Sequence, residues 1–128
     1  MESEIGTVSW VAVIIGAVVA FLVGWLWYSP KLFGEKWAEG VGVSLGSADQ
    51  MPVAAMVAQI VGMILMSWVI GITAAQNALF TAILVILAIT ALIIANGYFA
   101  RKSPYAIRTE AGFIIVAGII MIACQGIF

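Results

Sequence analysis

The chain has 128 residues, 65% of them hydrophobic and 9% charged, with a formal net charge of −1. A soluble domain is about 45–50% apolar and about 25% charged, and a soluble chain this short has too much surface to hide the excess. The balance excludes an ordinary soluble domain, the small net charge removes the electrostatic case for nucleic acid, and the single cysteine, Cys124, excludes an internal disulfide.

The first apolar run, Ile5 to Trp27, carries no charged residue. The leading segment holds Glu2 and Glu4 but no basic residue, and the run behind it is too long for a secretory signal. It therefore reads as a retained helix. Ala12, Gly16, Ala20 and Gly24 recur in it at four-residue spacing and form one small-residue stripe. Such a stripe lets another helix approach closely. The contact lies either inside the unit, the reading preferred here, or between subunits.

The connection after this run is the most individual part of the chain. Trp25, Trp27, Tyr28 and Trp37 are placed for an aromatic belt at headgroup level. Ser29-Pro30 reads as the N-cap and first residue of a new helix. On that helix Phe33, Trp37, Ala38 and Val41 share one arc, and Lys31, Glu35, Lys36 and Glu39 the other, so it lies in the interface as an amphipathic helix. Trp25, Trp27, Tyr28, Pro30, Phe33 and Trp37 thus form an interfacial anchor, or a docking surface for a headgroup or partner. The link from Val41 to Gln50 is polar, with Ser47 or Asp49 to cap the next helix and Pro52 in its first turn.

The second run, Val53 to Ile72, and the third, Leu79 to Phe99, are uncharged and separated only by Thr73 to Ala78. That short link predicts a tight antiparallel pair. The fourth run, Ala111 to Phe128, follows Ser103-Pro104, which places a helix start at Pro104. Each run has about the 17–25 residues that cross a hydrocarbon core, and backbone groups in lipid must pair within their own segment. Barrel strands alternate polar and apolar residues, and these runs do not. The expected fold is all-α, a polytopic membrane protein with helices at about 5–28, 52–73, 78–99 and 105–128, and a short interfacial amphipathic helix after the first. Residues 1–128 form one domain.

Every basic residue falls in two connections: Lys31 and Lys36 after the first run, and Arg101, Lys102 and Arg108 after the third. Four helices put those connections on one side, which the positive-inside tendency makes cytoplasmic. Both termini then face the periplasm or exterior. The five cations are candidates for anionic lipid headgroups.

Trp27-Tyr28-Ser29-Pro30 with Leu32-Phe33-Gly34 and Lys36-Trp37, directly after a glycine-bearing first helix, resembles the bacterial membrane family catalogued as domain of unknown function 1761. The resemblance spans nearly the whole chain. It implies a four-helix protein of the bacterial inner membrane and no activity.

The polar residues inside the runs are Gln59, Ser67, Thr81, Thr90, Asn96 and Gln125. They read as interhelical hydrogen-bonding groups, or as a sparse lining for a small solute. The chain has no His, and no Asp, Glu, Lys or Arg lies mid-run. That removes the titratable group on which ion-coupled transport normally depends, and the usual ligand sets for zinc, haem or iron–sulfur clusters. No nucleophile–base pair suits hydrolysis, and Glu35, Glu39, Asp49 and Glu110 read as interfacial ion pairs. The expectation is a non-enzymatic structural or accessory membrane protein without a cofactor, a homo-oligomer or a subunit of a larger membrane complex, bathed in membrane lipids. The alternative is a passive channel or carrier working as a homo-oligomer. A topology reporter fused after Phe128 is expected to behave as periplasmic; one active in the cytoplasm overturns the orientation.

Overall fold

A computed structural model of the chain describes residues 8–43 and 53–128. Among these residues there are five helices and no strand: α1 (Trp10–Trp27), α2 (Gly34–Val41), α3 (Val53–Ala75), α4 (Leu79–Phe99) and α5 (Pro104–Ile127). All but α2 are long and apolar enough to cross a membrane, with mean hydropathy from 2.0 to 2.6 over their most apolar windows. The all-helical fold with four spans and a short helix after the first is the one the sequence predicts. The readings of Glu2, Glu4, Ser47, Asp49 and Pro52 fall outside the described residues.

Two helix starts show how local chemistry sets the ends. α1 begins at Trp10, later than the apolar run, because Ser9 holds an extended backbone and its Oγ accepts from Ala12 N at 3.3 Å. A polar cap inside an apolar run satisfies one of the first-turn donors that have no partner in the helix. α5 begins at Pro104 as expected, with Ser103 Oγ accepting from Ala106 N at 3.1 Å.

α5 is the hub. It packs against α1, α2, α3 and α4, most extensively against α1 and α4. The small-residue stripe of α1 is the reason its neighbours come close. Ala12 and Ala20 are fully buried, and Gly16 and Gly24 are buried with them. A Cβ on Gly24 would sit 2.8 Å from the Phe113 ring, and one on Gly16 would sit 3.0 Å from Ser67 Oγ. The stripe is therefore an internal contact, facing α5 and α3 together. Ser67 Oγ reinforces it by donating to Val13 O across the helices at 2.7 Å.

The pair α3 and α4 departs from expectation. Their connection is tight: Ala78 N donates to Thr73 O at 2.8 Å, and Asn77 takes a left-handed φ of 55°, which Asn tolerates better than most residues. Yet each helix packs more extensively elsewhere, α3 on α1 and α4 on α5. The sockets explain this. Val13 of α1 crowds Gly71 of α3, while Ile86 of α4 lies over Gly118 of α5.

Filling the α1 stripe should therefore open the bundle. Gly24→Leu drives a side chain into the Phe113 ring, and overpacking typically costs about 1–3 kcal/mol. Unfolding in detergent should show that loss, whereas Gly126→Ala, whose added methyl meets nothing within 4 Å, should unfold like the parent.

Candidate functional site: an aromatic and carboxylate clamp

The end of the bundle that carries the basic residues is closed by the chain between α1 and α2. Sequence reasoning makes Ser29-Pro30 the start of a helix. In the structure these residues form a turn and the helix starts at Gly34. The Ser29 hydroxyl donates back to Leu26 O at 2.7 Å instead of capping forward. Its carbonyl accepts from Gly34 N at 2.9 Å, and Phe33 N reaches Trp27 O at 3.2 Å. A Cβ at position 34 would collide with the Tyr28 carbonyl. The Phe33-Gly34 pair thus has a steric reason: the chain folds back onto its own backbone there, and glycine lets it pass.

α2 then lies across the start of α5. Ser103 N donates to Gly40 O at 3.0 Å, and Gly40 closes against Ser103 and Ala106. α2 stops at Gly42, whose φ of 80° lets Gly42 N and Val43 N both reach Ala38 O.

Three of the six sequence-predicted anchors, Trp27, Tyr28 and Trp37, converge on α5, and Phe33 packs behind Trp27. Trp27 Nε1 donates to Thr109 O at 2.9 Å, and Trp37 Nε1 donates to Glu110 Oε2 at 2.9 Å. The ring of Phe33 lies 4.7 Å from that of Trp27, and the ring of Tyr28 lies 5.0 Å from Trp37 and 5.8 Å from Phe113. These separations are those of favourable tilted and edge-to-face pairs. Trp25 does not join: it is 55% exposed and, among the described residues, its ring pairs with Phe21. Pro30 is exposed in the turn.

Glu110 is the chemical centre. Lys102 Nζ reaches both of its oxygens, at 2.9 and 3.0 Å, and the two side chains are 23% and 15% exposed. This is the one ion pair among the described residues. Tyr28 lies beside it. Burial, and then the Glu110 charge, raise the pKa of its phenol above the ordinary value, so it keeps its proton. The carboxylate therefore holds an ammonium and an indole in place, and a protonated phenol stands next to it. That arrangement ties three chain segments together.

The remaining cations point elsewhere. Lys36 Nζ sits 5.4 Å from the centre of the Tyr105 ring, a cation–π contact. Lys31, Arg101 and Arg108 are exposed, and Arg101 closes α4 in a left-handed conformation at φ 59°. Gln59 and Asn96 are exposed on their helices. Gln125 lines a cavity of about 330 Å³ at the opposite end, with Thr73 and Asn77. Among the described residues no three of His, Cys, Asp or Glu come together. Sequence reasoning read Glu110 as part of an interfacial ion pair, which Lys102 completes, but missed it as the Trp37 acceptor and missed Thr109 and Phe113 beside it. Thr109, Glu110 and Phe113 share one face of α5, at a helical spacing that looks like any amphipathic start.

A bundle of four membrane-length helices, its basic end closed by a Trp-Tyr turn and a short clamped helix, defines a multi-pass helical membrane protein with a built end cap. The chain belongs to the family described as Protein of unknown function (DUF1761), whose model matches residues 11–126. That span includes the whole clamp and nearly all of the four helices. No curated protein and no solved structure matches the chain.

Removing the Glu110 carboxylate leaves Lys102 and the Trp37 indole without their acceptor. Hydrogen bonds to charged groups contribute about 1.5–3 kcal/mol, so Glu110→Ala should lower stability by about 2 kcal/mol and Glu110→Gln by less. Adding Lys102→Met to Glu110→Ala should change little further, which unfolding monitored by tryptophan fluorescence would check in a double-mutant cycle.

Proposed function

We propose that this chain is a non-catalytic structural or accessory protein of the bacterial inner membrane, working by packing against other membrane helices, its own copies or a larger complex. The observation that carries this reading is the use of the signature residues. Trp27, Tyr28, Phe33 and Trp37 turn inward and close the end of the bundle, and Glu110 is engaged by Lys102 and Trp37. Their chemistry builds a rigid platform rather than an open reaction centre. The faces of α3 and α4, by contrast, are largely turned outward, with 22% and 17% of their most apolar windows buried by the chain itself. A protein whose rigid end is internally satisfied and whose two middle helices face outward is suited to holding neighbours.

In this reading the clamp end is cytoplasmic and both termini are periplasmic, which follows from the basic residues. Lys31, Arg101 and Arg108, exposed at that end, face the anionic headgroups. Membrane patches excised with an amphipathic polymer and analysed by native mass spectrometry test the reading. Complexes of two or more chains, or of this chain with other membrane proteins, are expected. A lone chain in every patch overturns it.

A further inference from the structure

The cavity of about 330 Å³ lies where the ends of α3 and α5 meet the start of α4, far from the clamp. Its lining changes character with depth. Thr73, Asn77 and Gln125 stand at the rim, beside Ala78 and Leu79 at the start of α4. One helical turn further in come Ile70, Ile122 and Ala82, and Ile70 and Ala82 belong to the buried hydrophobic core. No charged side chain lines it. An apolar recess of roughly 300 Å³ or more with a few convergent polar groups is the usual form of a small-molecule site. This one has about twice the volume of the roughly 150 Å³ hollow that suffices for benzene.

The rim carries polar groups that the protein leaves unanswered. The Gln125 side chain lines the cavity, yet its Nε2 is turned toward Gly71, shielded from solvent and without a hydrogen-bond partner among the described residues. A buried amide left unpaired is costly. The last torsion of a glutamine has two broad wells, so a half-turn brings Nε2 round to the cavity, where an occupant can answer it. Across the rim, Ala78 precedes α4 without a side-chain cap, and the first N–H groups of a helix have no partner within it. Thr73 is already engaged, donating to Ile70 O at 2.7 Å.

These groups describe an occupant. The apolar floor takes a hydrocarbon body of about ten non-hydrogen atoms, judged against the benzene-sized hollow. The absence of any charged lining residue favours a neutral head. An amide that can turn either way, facing N–H groups that only donate, is met best by a group that both donates and accepts, which a hydroxyl does. The helix ends that form the rim also lie at the depth where a membrane amphiphile carries its polar head.

We propose that this cavity binds a neutral amphiphile, a medium-length hydrocarbon with a terminal hydroxyl, its tail against Ile70, Ala82 and Ile122 and its hydroxyl between Gln125 and the start of α4. The site is independent of the packing function and stands or falls without it.

The test uses the full chain in nanodiscs with a diazirine-bearing octanol, its crosslinks mapped by peptide mass spectrometry. Saturable labelling of the segments around Ile70 and Ile122, displaced by 1-octanol, is expected. Gln125→Leu should weaken that displacement roughly threefold to tenfold, the effect of one hydrogen bond. Ala74→Phe, which puts a ring into the cavity from an exposed position, should abolish the labelling. Because Gln125→Leu removes an unpaired donor, the unliganded variant should unfold no earlier than the parent. Earlier unfolding makes the amide a structural group and overturns the proposal. So does labelling that is unsaturable, centred elsewhere, or indifferent to either substitution. Labelling that appears only once phospholipid has been stripped away gives the cavity to phospholipid instead, and overturns the hydroxyl ligand.

Discussion

Apolar side chains gain nothing by leaving lipid for one another, so a membrane bundle holds together by how closely its backbones pack and how completely its polar groups are paired. Everything here follows from the close approach of α1 to α3 and α5. Ala12, Gly16, Ala20 and Gly24 remove the side chains that would keep those helices apart. Phe113 then fills the space over Gly24, and Ser67 reaches the Val13 carbonyl. With α1 seated, its C-terminal end delivers Trp27 and Tyr28 to the first turns of α5, where Thr109 and Glu110 receive the clamp.

The clamp solves a problem of depth. Indoles and a phenol at a membrane interface each have an apolar body and one polar group to satisfy. Trp27 and Trp37 satisfy theirs on the last helix rather than on water or headgroups, so the interfacial segment becomes part of the tertiary structure. A carboxylate placed seven residues into that helix is tolerable there because Lys102 and Trp37 meet it, leaving little of it to solvent.

The number of spans, the helix start at Ser103-Pro104 and the α1 stripe were legible in the sequence because each depends on local composition or spacing, whereas the Ser9 cap starts the first helix later than its apolar run. The aromatic cluster was legible as a group but not as a contact, since nothing in Trp27 to Trp37 says that the partner lies some 80 residues away. The turn at Ser29-Pro30 was misread for a related reason. Ser-Pro caps a helix only when the backbone ahead is free to wind, and the return of Gly34 onto the Tyr28 carbonyl prevents it. The weak α3–α4 packing was also hidden, because a short loop fixes adjacency and says nothing of which neighbour offers the better socket.

The contact between α1 and α5 joins segments 82 residues apart at Trp27 and Thr109, which has a consequence for the order of events during synthesis. α1 enters the membrane with Gly24 bare and the Trp27 indole unanswered until Phe113 and Thr109 emerge more than 80 residues later. Local helix formation is fast, but this closure waits on the longest sequence separation in the fold. The first span must persist as a half-satisfied lodger in the bilayer, and the interfacial aromatics that later lock the bundle are well suited to hold it at the right depth until then.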